Sequence, residues 1–407
     1  MLTKSSTELV RQHNSALVLS SLRRHGALSH TDISEHTGLA SATVSAITAD
    51  LERAAIIEKK EQQSLGGRGR PRVLFAQRRD CGYLISVRIA SDVVQYSLVD
   101  YAGTLIDRFE EARVQSDAST AQFVEDFRRA LMRLAQRSGI EPSRVLAISI
   151  SSKGLVDPSS AQLVWSPVFG GNQIDFAEVL SDQWRARVTL NNESLLVAHA
   201  LAIRAEKSAE TSSPSLLVLS LGHSVGLGIA RKDASGELHA NAPNFGHMLN
   251  SADGKLCRCG SFGCIEASAG FYGILRTAFE VPPDTIPAKF VPVAEMDKIA
   301  LRARQGHRMS EYAFRQAGLV LGQGLSRVLS LYETMPIYIT GPGTRYADLL
   351  SRGIEEGLRQ SQQVRLLGFP QISIVSEEAM LVFEGHLDRA LSELDQSIAA
   401  EKAGHAG

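Results

Sequence analysis

The chain has 407 residues, 44% of them hydrophobic and 21% charged, with a formal net charge of -1 from 43 basic and 44 acidic groups. At roughly 100–200 residues per domain this allows two to four domains and a sizeable core, and it excludes a disordered, fibrous or uniformly basic protein. No run approaches the ~20 apolar residues of a membrane span, MLTKSSTELVRQHNSALV has no signal-peptide core, and four cysteines make no disulfide scaffold. A cytoplasmic, multi-domain protein without membrane insertion is expected.

The even balance conceals an asymmetry. Residues 1–80 hold 12 Lys and Arg against 8 Asp and Glu, a net of +4, which leaves 31 basic and 36 acidic residues, a net of -5, for the remainder. Five arginines and no acid fall between Gln62 and Arg79. A basic head on a mildly acidic body suits a polyanion-binding module; on charge alone, a solvated linker with incidental arginines fits as well.

In the head, Leu17, Val18 and Leu22 share one helical face, and Gly26 closes that helix. Ser29 and Asp32 make an S-x-x-D cap for a short helix around Ile33, and Thr37-Gly38-Leu39 reads as a turn with Gly38 left-handed. A second cap at Ser41 opens SATVSAITADLERA, whose Val44, Ile47 and Leu51 face inward. Three short helices with a glycine-containing turn before the last predict a helix-turn-helix. The outward positions of the third helix, Ser41, Ala42, Thr43, Ser45, Ala46 and Thr48, offer hydroxyls and methyls to base edges but no bidentate arginine. Phosphate contacts must come from elsewhere, and Gly66-Gly67-Arg68-Gly69-Arg70-Pro71-Arg72 supplies them. An extended strip carrying Arg68, Arg70 and Arg72 can lie in the narrow, electronegative minor groove of A·T-rich DNA. With the Ile56-Ile57 strand, this predicts a winged helix-turn-helix that binds double-stranded DNA. A three-helix packing module on a flexible linker is the plainer alternative.

From Gly82 the pattern becomes short apolar runs between helical stretches. YLISVRIA, VVQYSLVD, LAISIS, SLLVLSLGH, VGLGIAR and PIYITGPG read as buried strands, and AQFVEDFRRALMRLAQRSG reads as a helix. This is an α/β body with mixed sheets, a surface loop at 208–215, and no tandem repeat of fixed period. Cys81 reads as a buried strand residue. The sharpest chemical signal is GHMLNSADGKLCRCGSFGCIE at 246–266. There His247, Cys257, Cys259 and Cys264, with Gly260 and Gly263 allowing a tight knuckle, supply three thiolates and one imidazole. That set completes a tetrahedral, structural Zn2+ shell. A disulfide in a reducing compartment or a reactive thiol are the weaker readings.

Gly246-His247, Cys257-x-Cys259-Gly260-x-x-Gly263-Cys264 and Glu266 together resemble the signature of the ROK (repressor, open reading frame, kinase) family, and the likeness spans nearly the whole chain. The resemblance implies a winged helix-turn-helix over 1–80 and an actin-like (ASKHA), two-lobed ROK effector and oligomerisation domain over 81–400, with the zinc knuckle inside it. It also implies a homodimer or homotetramer, whose paired heads suit a palindromic operator. Family kinases hold ATP phosphates on a loop like Asp-x-Gly-Gly-Thr. Here Arg88-Ile89-Ala90-Ser91-Asp92 stands in its place, without the glycines and with an Asp beside the phosphate position. A second loop, Gly-Thr-Gly-x-Gly in kinases, reads Gly222-His223-Ser224-Val225-Gly226.

The family's Asn-Asp pair corresponds to Asn192-Glu193, a carboxylate one methylene longer that is expected to contact sugar or cap a helix rather than act as a base. Gly154, Asn192, Glu193, Asn244, His247 and Glu266 match hexose-contacting positions, Asn244 standing where the family has Glu. The expectation is a non-enzymatic, sequence-specific regulator, a repressor of carbohydrate uptake or catabolic genes, governed by a small sugar or amino sugar. A sugar kinase with a fused DNA-binding head, a regulator governed by a protein partner, and a vestigial pocket on a constitutive DNA binder are the alternatives.

Overall fold

The computed structural model describes residues 4–61, 73–113, 119–157, 159–208, 215–252 and 254–404. The head comprises α1 (Lys4–His25), α2 (His30–Thr37) and α3 (Ser41–Arg53), then an antiparallel hairpin of β1 (Ile57–Glu61) and β2 (Val73–Gln77). α2 opens on the expected capping box, the Ser29 hydroxyl accepting from the Asp32 amide and the Asp32 carboxylate from the Ser29 amide, and it ends at Gly38 with φ 70°. The start of α3 differs. Its cap is Ala40, with no side-chain bond, and Ser41 is already helical.

Thr48 is a second correction. It is only 1% exposed; its hydroxyl donates to the Val44 carbonyl at 2.9 Å and lies 2.8 Å from His30 Nε2. Position 48 falls one turn after Val44, on the same inward face, so it cannot reach a base edge. Ser41, Ala42, Ser45 and Ala46 are exposed and Thr43 is half-buried. Arg68, Arg70 and Arg72 lie outside the described residues. On α1, Leu17 is half-buried, and Leu19 joins Val18 and Leu22 inside.

The first lobe follows with β3 (Tyr83–Ile89), β4 (Val93–Asp100), β5 (Leu105–Ala112), α4 (Thr120–Arg137), β6 (Val145–Ser152), β7 (Leu155–Asp157), β8 (Gln162–Trp165), β9 (Ile174–Asp175), α5 (Phe176–Leu180) and β10 (Arg187–Asn192). α6 (Glu193–Ser208) leads to β11 (Ser215–Leu221), β12 (Val225–Lys232) and β13 (Leu238–Asn241) of the second lobe. Then come α7 (Ile265–Ala269), α8 (Phe271–Ala278), α9 (Val293–Arg304), α10 (Arg308–Leu331), β14 (Ile337–Thr340), α11 (Ala347–Leu358), α12 (Gln362–Leu367) and β15 (Ile372–Ile374). The last helix, α13 (Glu378–Gly404), returns to the first lobe, packing on α6, β3, β6 and α1.

Both lobes carry the same five-stranded sheet. The orders β5-β4-β3-β6-β10 and β13-β12-β11-β14-β15 each join three strands antiparallel and add two parallel. β11 is buried along its whole length, as a continuous apolar run requires. Cys81 is not in a strand: it ends a 3-10 turn, Arg79–Cys81, and is half-buried. The loop expected at 208–215 lies mostly outside the described residues, and Ser215 already belongs to β11. Among the described residues no helix is long and apolar enough to cross a membrane.

The head shares its core with the body. Val18, Leu22, Leu51 and Phe75 pack in one cluster with Leu84, Tyr101 and with Ala390, Leu391 and Leu394 of α13. Beside them Arg23 grips Asp395 through two bonds of 2.7 Å and donates to the Tyr101 carbonyl at 2.9 Å, while the Tyr101 hydroxyl donates to Asp395.

Two imidazoles in this framework are held neutral. His386 of α13 bridges the Ser149 and Ser151 hydroxyls of β6 at 2.8 and 3.0 Å, and burial pushes it down to about 3. His199 of α6 has a buried Nδ1 with no partner among the described residues, and burial pushes it down to about 4. In the unfolded chain both titrate near 6.5, so below that pH the unfolded state binds more protons. Stability should therefore be full above pH ~6.5 and fall as pH drops toward ~4, by up to about 1.4 kcal/mol per unit for each imidazole. Urea titrations across this range measure the decline. His199→Leu should shrink it without loss at neutral pH.

Candidate functional site

Four segments converge between the lobes. The end of β6 delivers Gly154, the end of β10 delivers Asn192, the 3-10 turn Phe245–His247 brings Asn244 and His247, and α7 brings Glu266. These five residues line one cleft together with Lys153 and Trp165. Gly154 is required by its backbone: φ is 123°, and a Cβ there would stand 2.2 Å from the Trp165 carbonyl. Its own carbonyl accepts from Asn192 Nδ2 at 2.8 Å, and Asn192 Oδ1 accepts from the Ser194 amide at 2.8 Å. Glu266 is 6% exposed and takes the Val225 amide at 3.1 Å; burial pushes its carboxyl up. Carboxylate, amide and imidazole beside an indole are groups that suit a polyhydroxylated ligand.

Of the two roles expected for Glu193, sugar contact or helix capping, only a place at a helix start agrees with the structure. Glu193 opens α6, is 1% exposed, and is gripped by Arg88 Nε and Nη2 at 3.1 and 3.3 Å. Arg88 Nη2 also donates to Glu378, the first residue of α13, at 3.1 Å. Lys153 Nζ stands 3.9 Å from Glu193 and 3.7 Å from Glu378, and the Ser220 hydroxyl donates to Glu378. The Glu193 carboxylate is thus engaged by a guanidinium and is not part of the cleft wall.

Charge and burial compete in this cluster. Burial opposes the Arg88 cation, but Glu193 and Glu378 outweigh it and raise its pKa. Burial likewise opposes the Glu378 anion, but Lys153, Arg88 and the Ser220 hydroxyl hold the carboxyl below its usual range. Both acids begin helices, where the backbone amides favour negative charge. His223 of the second loop lies against Phe290, and burial pushes it down to about 4, so it supplies no cation there near neutral pH. Asp92 is exposed at the β3–β4 turn.

The metal-type residues also meet. One ligand atom each from His247, Cys257, Cys259 and Cys264 lies within 4.8 Å of all the others. His247 Nδ1 is 3.5 Å from Cys257 Sγ, and the Cys259 and Cys264 sulfurs are 3.7 Å apart. Gly263, at φ 79°, lets the loop close: a Cβ there would fall 1.7 Å from the Ser251 carbonyl. Burial pushes the Cys257 and Cys264 thiols up. The Trp165 ring stands edge-on to His247 at 4.8 Å, joining the knuckle to the cleft. This group can hold a metal ion.

Sequence reasoning found the knuckle and the cleft residues but missed Glu378 and gave Lys153 no role. Glu378 lies 290 positions from Arg88 and sits in no motif. Its importance follows from the cluster, and so does a prediction. Arg88→Ala leaves two buried carboxylates facing a single lysine and should cost about 3–5 kcal/mol. Arg88→Lys, which keeps the charge but not the fork, should cost less. Denaturant midpoints of the two variants are the check.

The ROK family pattern matches residues 84–375. The xylose repressor of Caldicellulosiruptor bescii is 24% identical over 86% of this chain and 88% of its own. The DNA-binding transcriptional dual regulator NagC of Escherichia coli K12 is 24% identical over 96% of this chain and 91% of its own. Among solved structures, a ROK family transcriptional regulator, described as a homolog of the Escherichia coli MLC protein, superposes with a TM-score of 0.74 at 19% identity, covering 96% of this chain and 99% of that one. A ROK family glucokinase from Streptomyces griseus, in complex with glucose and AMPPNP, has a TM-score of 0.54 at 20% identity, covering 76% and 99%. With the family pattern running through both lobes, the chain belongs to the ROK family.

Proposed function

We propose that the protein is a transcriptional repressor of carbohydrate genes whose hold on DNA is governed by a sugar or amino sugar in the interlobe cleft. The carrying observation is that Arg88, in the stretch standing where family kinases carry a phosphate loop, is locked to Glu193 and Glu378, while a polar cleft lies beside them. The protein is accordingly a ligand-responsive binder without phosphotransfer activity. Relatives named as xylose repressor and NagC support that choice over the kinase.

Residues 1–80 form a winged helix-turn-helix in this reading. Ser41, Ala42, Thr43 and Ser45 meet base edges from α3, and Arg68, Arg70 and Arg72 serve the phosphates and an A·T-rich minor groove. Residues 81–400 form the effector and oligomerisation part, and a homodimer or homotetramer presents paired heads to a palindromic operator.

His247, Cys257, Cys259 and Cys264 hold one Zn2+, and the fit rests on three sulfurs and an imidazole nitrogen already gathered within 4.8 Å. Four protein ligands close the shell, so the metal's contribution is structural. It fixes the loop that precedes Glu266. With Nδ1 turned to the sulfurs, His247 Nε2 is the ring nitrogen that can donate to a sugar hydroxyl. Elemental analysis should find one zinc per chain, and Cys259→Ser should lose it and lower Tm. Native protein free of metal would refute this.

Coupling runs through Lys153, which lines the cleft and also faces Glu193 and Glu378. A sugar that repositions Lys153 changes the charge holding α13, and α13 carries Asp395 at the head. To release DNA the sugar must prefer the non-binding arrangement by a few kcal/mol, since equal affinity shifts nothing. Titrating protein bound to selected DNA fragments with a panel of sugars and amino sugars tests this. At least one sugar should release wild-type protein, and Glu266→Ala should ignore it while keeping DNA affinity and zinc. A mutant that responds like wild type would overturn the assignment of the cleft.

A further inference from the structure

A second, much larger cavity of about 780 Å3 opens between the first lobe and the metal knuckle. It shares Trp165 and Pro167 with the inner cleft, so the two spaces meet at that rim. Its size falls in the range of small-molecule sites, whereas the inner cleft alone is narrow. Tyr96, Phe123 and Phe169 supply aromatic wall, and two arginines line it, Arg113 just after β5 and Arg258 inside the knuckle.

The charge inside this cavity is unbalanced. Its two carboxylates are already paired: Glu111 with Arg133 at 2.6 Å, and Asp126 with Arg129 and with the Gln122 amide at 3.0 Å. Neither arginine has an acidic partner within 4 Å among the described residues. Arg113 reaches only the Ala90 and Ser91 carbonyls, at 3.4 and 3.5 Å, and lies over the Phe123 and Phe169 rings at 5.8 and 4.9 Å. Arg258 donates to the Ala288 carbonyl at 2.7 Å. Burial works against the Arg113 charge, and the nearby Asp92 only partly offsets it. A guanidinium held on aromatic faces without a carboxylate is a group prepared for an anion, because Arg matches carboxylate and phosphate oxygens in a fork.

We infer that the effector is larger than one ring: a glycoside whose first sugar sits in the inner cleft and whose second unit, carrying a carboxylate or phosphate, crosses the Trp165–Pro167 rim to Arg113 and Arg258. This rests on the sugar-responsive reading above and names the ligand class for it. The aromatic wall takes the apolar face of the second ring, and the arginines take its anion. A neutral monosaccharide leaves the outer cavity to water.

Calorimetry on the full chain separates the possibilities. The probes are glucose, N-acetylglucosamine and xylose, then cellobiose, chitobiose and xylobiose, then each disaccharide with a uronic acid as its second ring, and cellobiose and chitobiose with a 6-phosphate there. For whichever sugar binds, an acidic disaccharide should bind at least about tenfold tighter than its neutral counterpart, as a charge-assisted hydrogen bond implies. The carboxylate and phosphate arms show which anion is preferred. Arg113→Gln should erase the tenfold and Arg113→Lys should keep part of it. Unchanged monosaccharide binding by Arg113→Gln shows that the variant is folded. Equal binding of acidic and neutral disaccharides, or a preference that survives Arg113→Gln, overturns the inference. If monosaccharides bind and Glu266→Ala abolishes that binding while acids gain nothing, the inference falls and the sugar reading stands. If no sugar of any size binds, both fall.

Discussion

One guanidinium between two carboxylates sets the relation of the parts. Arg88 rises from the central strand of the first lobe to meet Glu193 and Glu378, the opening residues of α6 and α13. These helices link the lobes, and both point their positive ends at the same spot. Converging helix N-termini and a nearby lysine form an environment that attracts anions. Here the chain supplies its own anions and an arginine to neutralise them.

α13 gives that centre mechanical reach. Asp395 lies 17 positions beyond Glu378, about 25 Å at 1.5 Å per residue. One end of the helix is held by Arg88 and Lys153, and the other by Arg23 and Tyr101. Between them its apolar face joins the core of the head, through Ala390, Leu391 and Leu394. A helix anchored by charge at both ends and by packing between moves as a body. Any shift at the cleft end is therefore felt at α1.

What the sequence revealed and what it hid follow from distance along the chain. The capping box at Ser29, the inward triad Val44, Ile47 and Leu51, and the cysteine knuckle depend on neighbours within a few residues, and all were legible. Thr48 was misread because a hydroxyl looks outward by composition, yet helical phase carries it inward to His30. The two sheets repeat one topology without repeating letters, since each strand needs only to be apolar and β-branched. Glu378 was invisible: a single acid gains meaning only when the fold brings it to a residue 290 positions away. The outer cavity was hidden for the same reason, being walled by segments remote in sequence.

The ionic nature of the centre also bears on how little energy a ligand must bring. An apolar seal across the lobes would resist opening by about 25 cal/mol for each Å2 exposed. A buried ion cluster behaves otherwise: its mutual attraction is largely offset by lost hydration, so residues that separate into water regain much of what they lose. Removing one partner by mutation is costly because the others stay buried, whereas a rearrangement that admits water to the cluster hydrates them all. The closed and open arrangements can then differ by only a few kcal/mol. Two or three hydrogen bonds from a sugar, each worth about 0.5–1.5 kcal/mol net, are on the scale needed to tip that balance. A centre held by salt bridges, rather than by packed leucines, resists rearrangement by a small polar ligand less strongly.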